Sequence, residues 1–549
     1  VSGPGRFAAT IKQRTQRDAA RLSALATLGM VMLTFAAYRS GGAILLAALP
    51  LASAAAAGLG AVAFAFGEVH GITLAFGATL IGVAQDYPIH LLSHQRPGLP
   101  PRDNARALWP TLATGVVGTC VAYGAFLVSG VAGLAQLGLF TIAGLAAAAL
   151  TTRLVLPRLM DPAMPDRAGS AALARIDAVL ERVRVRRVAV FVLSVGIAAA
   201  AAIWFAPGPV WQNNLSALTP LPRELLARDA ELRAELGAPD ARHLLVVSAP
   251  GVDDVLARAE ALDPLLAALV ESGAIAGYDH AARYLPSVAT MRRRQAALPG
   301  EAALRAMLAT AIGELPFEAA TFEPFVVDIA SARALPPLTL EALAGSPLET
   351  RIGSLLLQRD GHATGIVSLA GLADRAAVER VARQAGASFL DLKGASETLV
   401  ARYRQRILAS LVIAGIILAG VVLLSLRSPA RALRVLLPML LTTFAVVAVL
   451  RLAGIPMSLF HLIALVLGAG LGLDYALFFE HAGEDPGARR RTLHGLLVCA
   501  ASTLMVFALL ATSSLPVLRA IGTTVALAVM LNFMFSLAVA RGGGTDART

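Results

Sequence analysis

Long apolar runs separated by short polar loops make up most of the chain. A helix of about 20 apolar residues crosses the hydrocarbon core of a bilayer, so these runs predict transmembrane helices. We predict a group of five spans, then one span, then a second group of five, at 21–38, 42–66, 71–93, 107–129, 135–157, 187–205, 406–426, 432–454, 458–480, 492–514 and 519–540. The pattern is typical of a mostly α-helical membrane protein with one large polar insertion.

The polar insertion, residues 206–402, alternates short strands with amphipathic helices. Residues 243–249 and 388–392 have the pattern of strands, and 252–270 and 375–384 that of helices. A further pair of strands around Asp360 and Gly361 indicates a hairpin. This order favours a ferredoxin-like β-α-β-β-α-β fold. We find no catalytic, metal-ligating or phosphate-binding motif in it, so we expect neither an enzyme nor a metal or cofactor site.

Composition supports the membrane assignment. Of 549 residues, 57% are hydrophobic and 15% are charged, whereas soluble domains carry about 25% charged residues. The net charge of +11 comes almost entirely from arginine, and we interpret it as loop charge rather than as a nucleic-acid surface. Cys120 and Cys499 both lie inside apolar runs, which argues against a disulfide framework or a metal site.

The arginines predict the orientation. If the spans alternate, most arginines in loops fall on one side, and loops rich in Arg and Lys are usually cytoplasmic. They cluster after residue 93, in the 157–187 linker, at 427–434 and at 489–491; Arg451 and Arg519 are exceptions. Residues 206–402 are therefore predicted to lie outside the cytoplasm, which in a bacterial inner-membrane protein is the periplasm.

The chain also repeats itself. The dipeptide Asp86-Tyr87 recurs as Asp474-Tyr475, 388 positions later. Arg39-Ser40 and Pro50 recur at the same offset as Arg427-Ser428 and Pro438. We therefore predict two pseudo-symmetric bundles of transmembrane helices. Because a span and a large domain precede the second copy, we expect their counterparts to precede Val1.

This pattern divides the chain into seven regions. They are a tail of a preceding periplasmic domain (1–20), the first bundle (21–157), a cytoplasmic linker (158–186), a helix that opens the second half (187–205), the periplasmic α+β domain (206–402), the second bundle (403–540) and a cytoplasmic tail (541–549).

The two aspartates are the strongest candidates for chemistry. A carboxylate inside a membrane-length helix is costly and indicates a functional site. If a two-fold axis along the membrane normal relates the copies, Asp86 would meet Tyr475, and Asp474 would meet Tyr87. Small residues would permit this approach: Gly77, Gly82, Gly468, Gly470 and Gly472. Two carboxyl groups in one dry seam are predicted to bind and release protons.

Three further polar residues are candidates for the same proton relay. His90 lies one turn after Asp86, and the matching position of the second copy is Phe478. Ser502 and Thr503 lie inside the tenth run. For each residue a structural role remains open: the aspartates could hold helices together without titrating, His90 could be solvated, and the hydroxyls could bond to their own helix.

The Asp-Tyr helices and the order of spans resemble the RND superfamily, and more closely its MMPL branch. Gly71-ITLAFGATLIGVAQDYPIHLLSH is similar to the fourth span of that branch's "predicted exporter" group. The resemblance implies a proton-driven, multi-pass exporter of lipid-like molecules in the bacterial inner membrane, with Asp86, Tyr87, Asp474 and Tyr475 as the proton relay. It implies membrane lipids and a lipid-like substrate as partners, and leaves open a periplasmic carrier protein and a homo-oligomer.

Two other functions remain open. A lipid- or sterol-sensing protein would share these helices without pumping, although two intramembrane aspartates disfavour it. A SecDF-like protein-export helper would carry a peptide-binding outer domain, and the sequence shows no motif for one.

Overall fold

Helices dominate the computed structural model, which describes residues 3–70, 73, 83–181, 185–214, 223–235, 242–313, 315–359, 361–482 and 485–542. Nine helices within these ranges are long and apolar enough to cross a membrane. With the shorter apolar helix Val190–Phe205, they coincide with every predicted span except 71–93, part of which lies outside the described residues. The chain is a multi-pass membrane protein.

The first half of the chain contains eight helices within its described residues. They are α1 (Pro4–Tyr38), α2 (Gly41–Phe66), α3 (Asp86–His94), α4 (Pro101–Leu127), α5 (Ala132–Leu150), α6 (Leu156–Leu159), α7 (Ala171–Glu181) and α8 (Val185–Phe205). A π-helical turn, Thr151–Val155, joins α5 to α6. The predicted boundary at residue 20 lies inside α1, because no proline interrupts that helix after Pro4.

Residues 222–396 form a compact unit of their own. Its helices are α9 (Arg223–Glu235), α10 (Val252–Glu271), α11 (Val288–Ala297), α12 (Glu301–Ile312), α13 (Glu323–Ala332), α14 (Pro347–Gly353) and α15 (Arg375–Gln384). Its strands are β1 (His243–Ala249), β2 (Gly277–Asp279), β3 (Leu356–Arg359), β4 (His362–Ala370) and β5 (Ser388–Asp391).

The five strands form one antiparallel sheet in the order β2-β4-β1-β5, and β3 also pairs with β4. Arg359 lies opposite His362, so β3 and β4 form the predicted hairpin; Asp360 in its turn lies outside the described residues. Leu245 and Val247 point to one face, as alternate strand residues do, and they pack with Leu266 of α10 and Val378 of α15. Helices thus cover one face of the sheet.

The second half adds five helices. They are α16 (Leu392–Leu426), α17 (Pro429–Leu452), α18 (Leu459–His481), α19 (Pro486–Ala511) and α20 (Pro516–Gly542). Residues 3–221 and 397–549 form the second compact unit of the chain. Within it α18 packs on α4, and α3 packs on α19. The helix that carries each aspartate therefore lies against the helix that follows the other aspartate.

The sequence repeat has a counterpart in local structure. Helices α1 and α16 both contain 35 residues, and each ends in an arginine with a left-handed backbone, at φ 48° for Arg39 and φ 50° for Arg427. A positive φ is uncommon outside glycine, and no other non-glycine residue among those described has one. The next residues, Ser40 and Ser428, both cap the following helix with their side chains.

Arg451 has a structural role that explains its exceptional position in the charge pattern. It is buried near the end of α17. Its guanidinium donates to the carbonyl oxygen of Gly208 at 3.0 Å and to that of Ala206. A buried charge is tolerated when such bonds satisfy it. Arg451 therefore holds the segment after α8 against α17 instead of marking a cytoplasmic loop.

Candidate functional site

The two intramembrane aspartates lie in one buried seam. Asp86 is the first residue of α3, and Asp474 lies in the last third of α18. Their exposed fractions are 1% and 4%, and the two carboxyl groups interact electrostatically. A pair of like groups in such a site cannot hold two negative charges cheaply. The arrangement therefore favours a shared, variable number of protons.

The two tyrosines are also buried, and each phenol interacts with the aspartate of the other helix. Tyr87 interacts with Asp474, and Tyr475 interacts with Asp86. The predicted hydrogen bonds are nevertheless not formed: among the described residues, both Asp86 oxygens, Asp474 Oδ2 and both phenol oxygens have no hydrogen-bond partner. Unpaired buried polar groups cost about 1–3 kcal/mol each. Binding of protons or water to these oxygens would therefore lower the free energy of the site.

Gly115 of α4 explains why the Asp474 carboxyl group lies where it does. A Cβ atom at this position would overlap Asp474 Oδ1, and the carboxyl carbon would lie 3.0 Å away. The carboxyl group is thus packed directly against the α4 backbone. Only glycine leaves that space.

Three of the predicted packing glycines, all on α18, do have close neighbours. Those neighbours lie on α4 and α20, however, and not on α3, the helix that carries Asp86. A Cβ at Gly468 would lie 2.5 Å from Ala528, and one at Gly472 would overlap Asn532, both on α20. Gly470 faces Thr119 of α4, at 3.1 Å. Residues four apart share a helix face, which is why Gly468 and Gly472 meet the same neighbour. Gly77 and Gly82 lie outside the described residues.

The three additional relay candidates differ in their surroundings. His90 is buried, and its ring stacks on Phe478. Ser502 donates to the carbonyl oxygen of Cys499 at 2.8 Å, which is the bond within its own helix that the sequence left open. Thr503 lies beside the Tyr475 phenol, although the two hydroxyls do not have hydrogen-bond geometry. Thr503 is thus better placed than Ser502 to exchange a proton with the seam.

Sequence reasoning missed Asn532 and Thr119. Asn532 Nδ2 donates to the carbonyl oxygen of Gly468 at 2.8 Å, and its Oδ1 has no partner among the described residues. The Thr119 hydroxyl, beside Gly470, is likewise buried and unpaired within the described part of the chain. An amide inside the last apolar run was the available signal, since polar side chains in membrane helices often mark interfaces or pathways.

A cavity of about 320 Å³ includes Gln85, the residue before Asp86, in its lining. The rest of the lining is mostly apolar and comes from α1, α2, the end of α19 and the start of α20. Gln85 precedes Asp86, its Nε2 donates to Thr34 at 3.4 Å, and its Oε1 is unpaired within the described ranges. The mostly apolar cavity is therefore lined by the residue that precedes the Asp86 carboxyl group in sequence.

The described residues offer no metal centre. No group of three or more histidine, cysteine, aspartate or glutamate side chains lies together in a way that could hold a metal ion within these ranges.

Comparisons with solved structures identify the fold. The chain is similar to a crystal structure of SecDF in a super-membrane-facing form, with 14% identity and a TM-score of 0.51 over 98% of this chain and 63% of that one. It is also similar to SecDF, a translocon-associated membrane protein from Thermus thermophilus, with 14% identity and a TM-score of 0.53 over 97% of this chain and 62% of that one. The chain thus spans less than two thirds of these proteins, and at this identity the likeness concerns the fold, which fits an RND-like membrane protein.

No curated protein matches the sequence. The model of the MMPL family matches residues 285–540, a region that includes the Asp474-Tyr475 pair. The resemblance predicted from the Asp-Tyr helices is thereby confirmed: slightly less than half of the chain, including one of the two Asp-Tyr pairs, matches the MMPL family.

Proposed function

We propose that this protein is a proton-driven secondary transporter of the bacterial inner membrane that exports lipid-like amphiphiles across or out of that membrane. The observation that carries the proposal is the pair of buried carboxyl groups, Asp86 and Asp474, which interact with each other and have unpaired oxygens among the described residues. Intramembrane carboxyl groups mark proton pathways in pumps and transporters.

The energetics of this pair suit a switch. Any two unit charges of the same sign repel each other by about 4 kcal/mol at about 4 Å and by about 2 kcal/mol at about 8 Å when the effective dielectric constant is about 20. A charge that crosses a potential of about 100 mV yields about 2.3 kcal/mol. Neutralising one charge of a pair in that range therefore releases about as much energy as the membrane potential supplies per charge. A free-energy change of this size alters the ratio of two conformations of a protein by more than tenfold.

The proposed cycle follows from the packing. Asp86 lies on α3, which contacts α19, and Asp474 lies on α18, which contacts α4. When a proton removes the repulsion, α3 and α18 approach; when it leaves, they separate. We propose that the two helix groups are pseudo-symmetric bundles that move in this way, and that an outer domain in the periplasm, with a ferredoxin-like strand order, follows their movement. The periplasmic location rests on the arginine pattern.

The substrate class rests on two observations. The MMPL family match covers the second helix group, and the cavity that includes Gln85 is lined mainly by apolar side chains. An acyl chain could occupy such a cavity without leaving the membrane. Asp86 would then sense the ligand through its neighbour in sequence, Gln85. A periplasmic carrier protein that receives the lipid and a homo-oligomeric assembly are further parts of the proposal.

The test is transport by the purified full chain in proteoliposomes. A fluorescent long-chain fatty acid reports export of the amphiphile, and an entrapped pH-sensitive dye reports the movement of protons. We expect Asp86→Asn and Asp474→Asn each to abolish both signals, because asparagine keeps the shape of the side chain and cannot carry the proton. Asp103→Asn is the matched control, since Asp103 is an exposed residue of the α4 start that pairs with Arg106 at the surface.

A variant that keeps proton-coupled transport removes that aspartate from the relay. If both variants keep it, the aspartates hold helices together and the transporter proposal fails. Proton movement without movement of the fatty acid would retain the relay and reject this substrate class.

A SecDF-like role in protein export is the second candidate, because the fold likeness extends over 97–98% of this chain. An experiment in cells distinguishes the SecDF-like role from the exporter role. Loss of Asp86 and Asp474 should impair the release of secreted proteins if the SecDF-like role is correct. If the exporter role is correct, secretion stays normal and a lipid accumulates in the inner membrane, where mass spectrometry of the extracted lipids can identify it.

A further inference from the structure

A line of histidines leads from Asp86 toward the arginine-rich end of the membrane helices. His90 lies four residues after Asp86, on the same face of α3. Its exposed fraction is 1%, and neither ring nitrogen has a hydrogen-bond partner within the described part of the chain. The ring stacks on Phe478. A buried imidazole whose two nitrogens are both free of such bonds can accept a proton at one nitrogen and release a proton from the other.

His94, one further turn along α3, is oriented by two hydrogen bonds. Its Nδ1 lies 2.9 Å from the carbonyl oxygen of His90, so Nδ1 carries the hydrogen. Its Nε2 then accepts from the Thr492 hydroxyl at 3.1 Å. The ring centroids of His90 and His94 are 6.4 Å apart, a separation that one bridging water spans. His94 is partly exposed, so it connects the buried imidazole to solvent.

The line ends in a polar cluster at the start of α19. Asp166 pairs with Arg491 at 2.8 Å, and its carboxylate interacts electrostatically with the rings of His94 and His494. A carboxylate at this place would stabilise an imidazolium, whereas the arginine would oppose one. The cluster can therefore accept a proton briefly and release it.

The other ring of this cluster belongs to a hydrogen-bonded chain. His494 Nδ1 lies 3.1 Å from the Ser93 hydroxyl, which lies 2.7 Å from the Tyr38 hydroxyl. Tyr38 donates to the carbonyl oxygen of Ile89 at 3.0 Å. These bonds tie α1, α3 and α19 together at the residue next to His94.

The second copy has no such line. The positions that correspond to His90 and His94 at the offset of 388 are Phe478 and Ala482. Neither side chain can carry a proton. Asp474 therefore has no equivalent pair of histidines on its own helix, which favours a route that it shares with Asp86.

We propose that His90 and His94 form the proton path that connects Asp86 to the arginine-rich side, and that this path serves both aspartates. Asp86 gives its proton to His90, and the resulting imidazolium passes a proton through one water to His94 Nε2. His94 releases a proton to solvent while the Asp166 carboxylate stabilises its charged form. The inference rests on the proposed proton-coupled function and extends it to a one-sided route.

The experiment measures proton flux in proteoliposomes that contain the full chain and an entrapped pH-sensitive dye, under an imposed pH gradient. His94→Gln keeps a hydrogen-bonding side chain of similar reach but cannot relay a proton. We expect a loss of flux on the order of 10²-fold, the usual contribution of a positioned acid or base. His90→Gln should give a similar loss.

His481→Gln is the matched control. His481 ends α18, the helix that corresponds to α3, and its Nδ1 bonds to the carbonyl oxygen of Leu477 at 2.9 Å, as that of His94 bonds to His90. We expect this variant to keep the flux. Normal flux in both His94→Gln and His90→Gln would overturn the path. An equal loss in His481→Gln would also overturn it, because the effect would then be structural.

Chemical rescue separates a proton carrier from a packing role. His94→Ala should lose flux, and added imidazole should restore it in proportion to its concentration, because the site is partly open to solvent. Absence of rescue in a variant that folds normally contradicts the relay role. Asp86→Asn distinguishes the two proposals: if it abolishes flux while the histidine variants do not, the transporter stands and the histidine path fails.

Discussion

His90 and Phe478 stack face to face, with ring centroids 3.5 Å apart and ring planes 6° from parallel. The two residues occupy the same position in the two copies of the repeat, 388 residues apart. Equivalent residues meet where a two-fold axis passes between their helices. The stack, together with the interaction between Asp86 and Asp474, therefore lies at the centre of the proposed relay.

We expect Phe478→Leu to weaken the protein by about 1 kcal/mol, the usual contribution of a stacked aromatic pair beyond its buried area. It should also reduce proton flux, because the His90 ring loses the surface that orients it. Thermal unfolding in detergent and flux in proteoliposomes give the two readouts. A drop in stability with unchanged flux would show that the stack only supports packing.

Gly115→Ala tests the packing of Asp474 against α4. The added methyl group would overlap the carboxyl group, so we expect loss of proton-coupled transport. Gly124→Ala on the same helix is the control, because a Cβ there has no atom within 4 Å. It should leave transport unchanged and stabilise the helix by up to about 1 kcal/mol. Full transport by Gly115→Ala would mean that the carboxyl group works from another position.

The surroundings of Glu260 predict how the stability of the compact unit of residues 222–396 depends on pH. Burial raises the pKa of Glu260, but bonds from Thr290 and from the hydroxyl and backbone of Ser287, at 2.6–2.7 Å, outweigh it and hold the pKa below the ordinary value of 4.5. A carboxyl group with a lowered folded-state pKa stabilises the fold above its unfolded-state pKa, and this contribution fades as the pH falls.

Glu260→Gln should therefore lower the free energy of unfolding of residues 242–391 by about 1–3 kcal/mol at pH 7. The difference from the wild type should shrink as the pH falls below 4.5. Calorimetry of the full chain in detergent at several pH values measures both effects. A constant difference down to the lowest pH would exclude a role for the ionised carboxylate.

A reporter fusion tests the predicted orientation. Fusion of alkaline phosphatase at Gly300, in the unit of residues 222–396, should give an active enzyme. Fusion at the same position of a protein that fluoresces only in the cytoplasm should give no fluorescence. The same fusions at Gly169, in the arginine-rich linker, should give the opposite result. Fluorescence at Gly300 would reverse the whole topology.

The sequence was sufficient to predict the membrane class, because runs of about 20 apolar residues have few other stable environments. It also predicted the repeat, which the helix ends at Arg39 and Arg427 reproduce. The strand at 243–249 and the hairpin partners followed from local alternation, and the structure has them at β1, β3 and β4.

The sequence by itself determined which residues could titrate, since a carboxylate in an apolar run stands out whatever its neighbours are. Only the tertiary structure decided what those residues touch. Gly115, Asn532 and the His90–Phe478 stack bring together positions far apart in the chain. Helical periodicity fixes the face on which a side chain lies, but it carries no information about the helix that packs there. For that reason the sequence was sufficient to predict the two aspartates as candidates. The missing hydrogen bonds to the tyrosines and the proposed path through His94 depend on the packing of the helices.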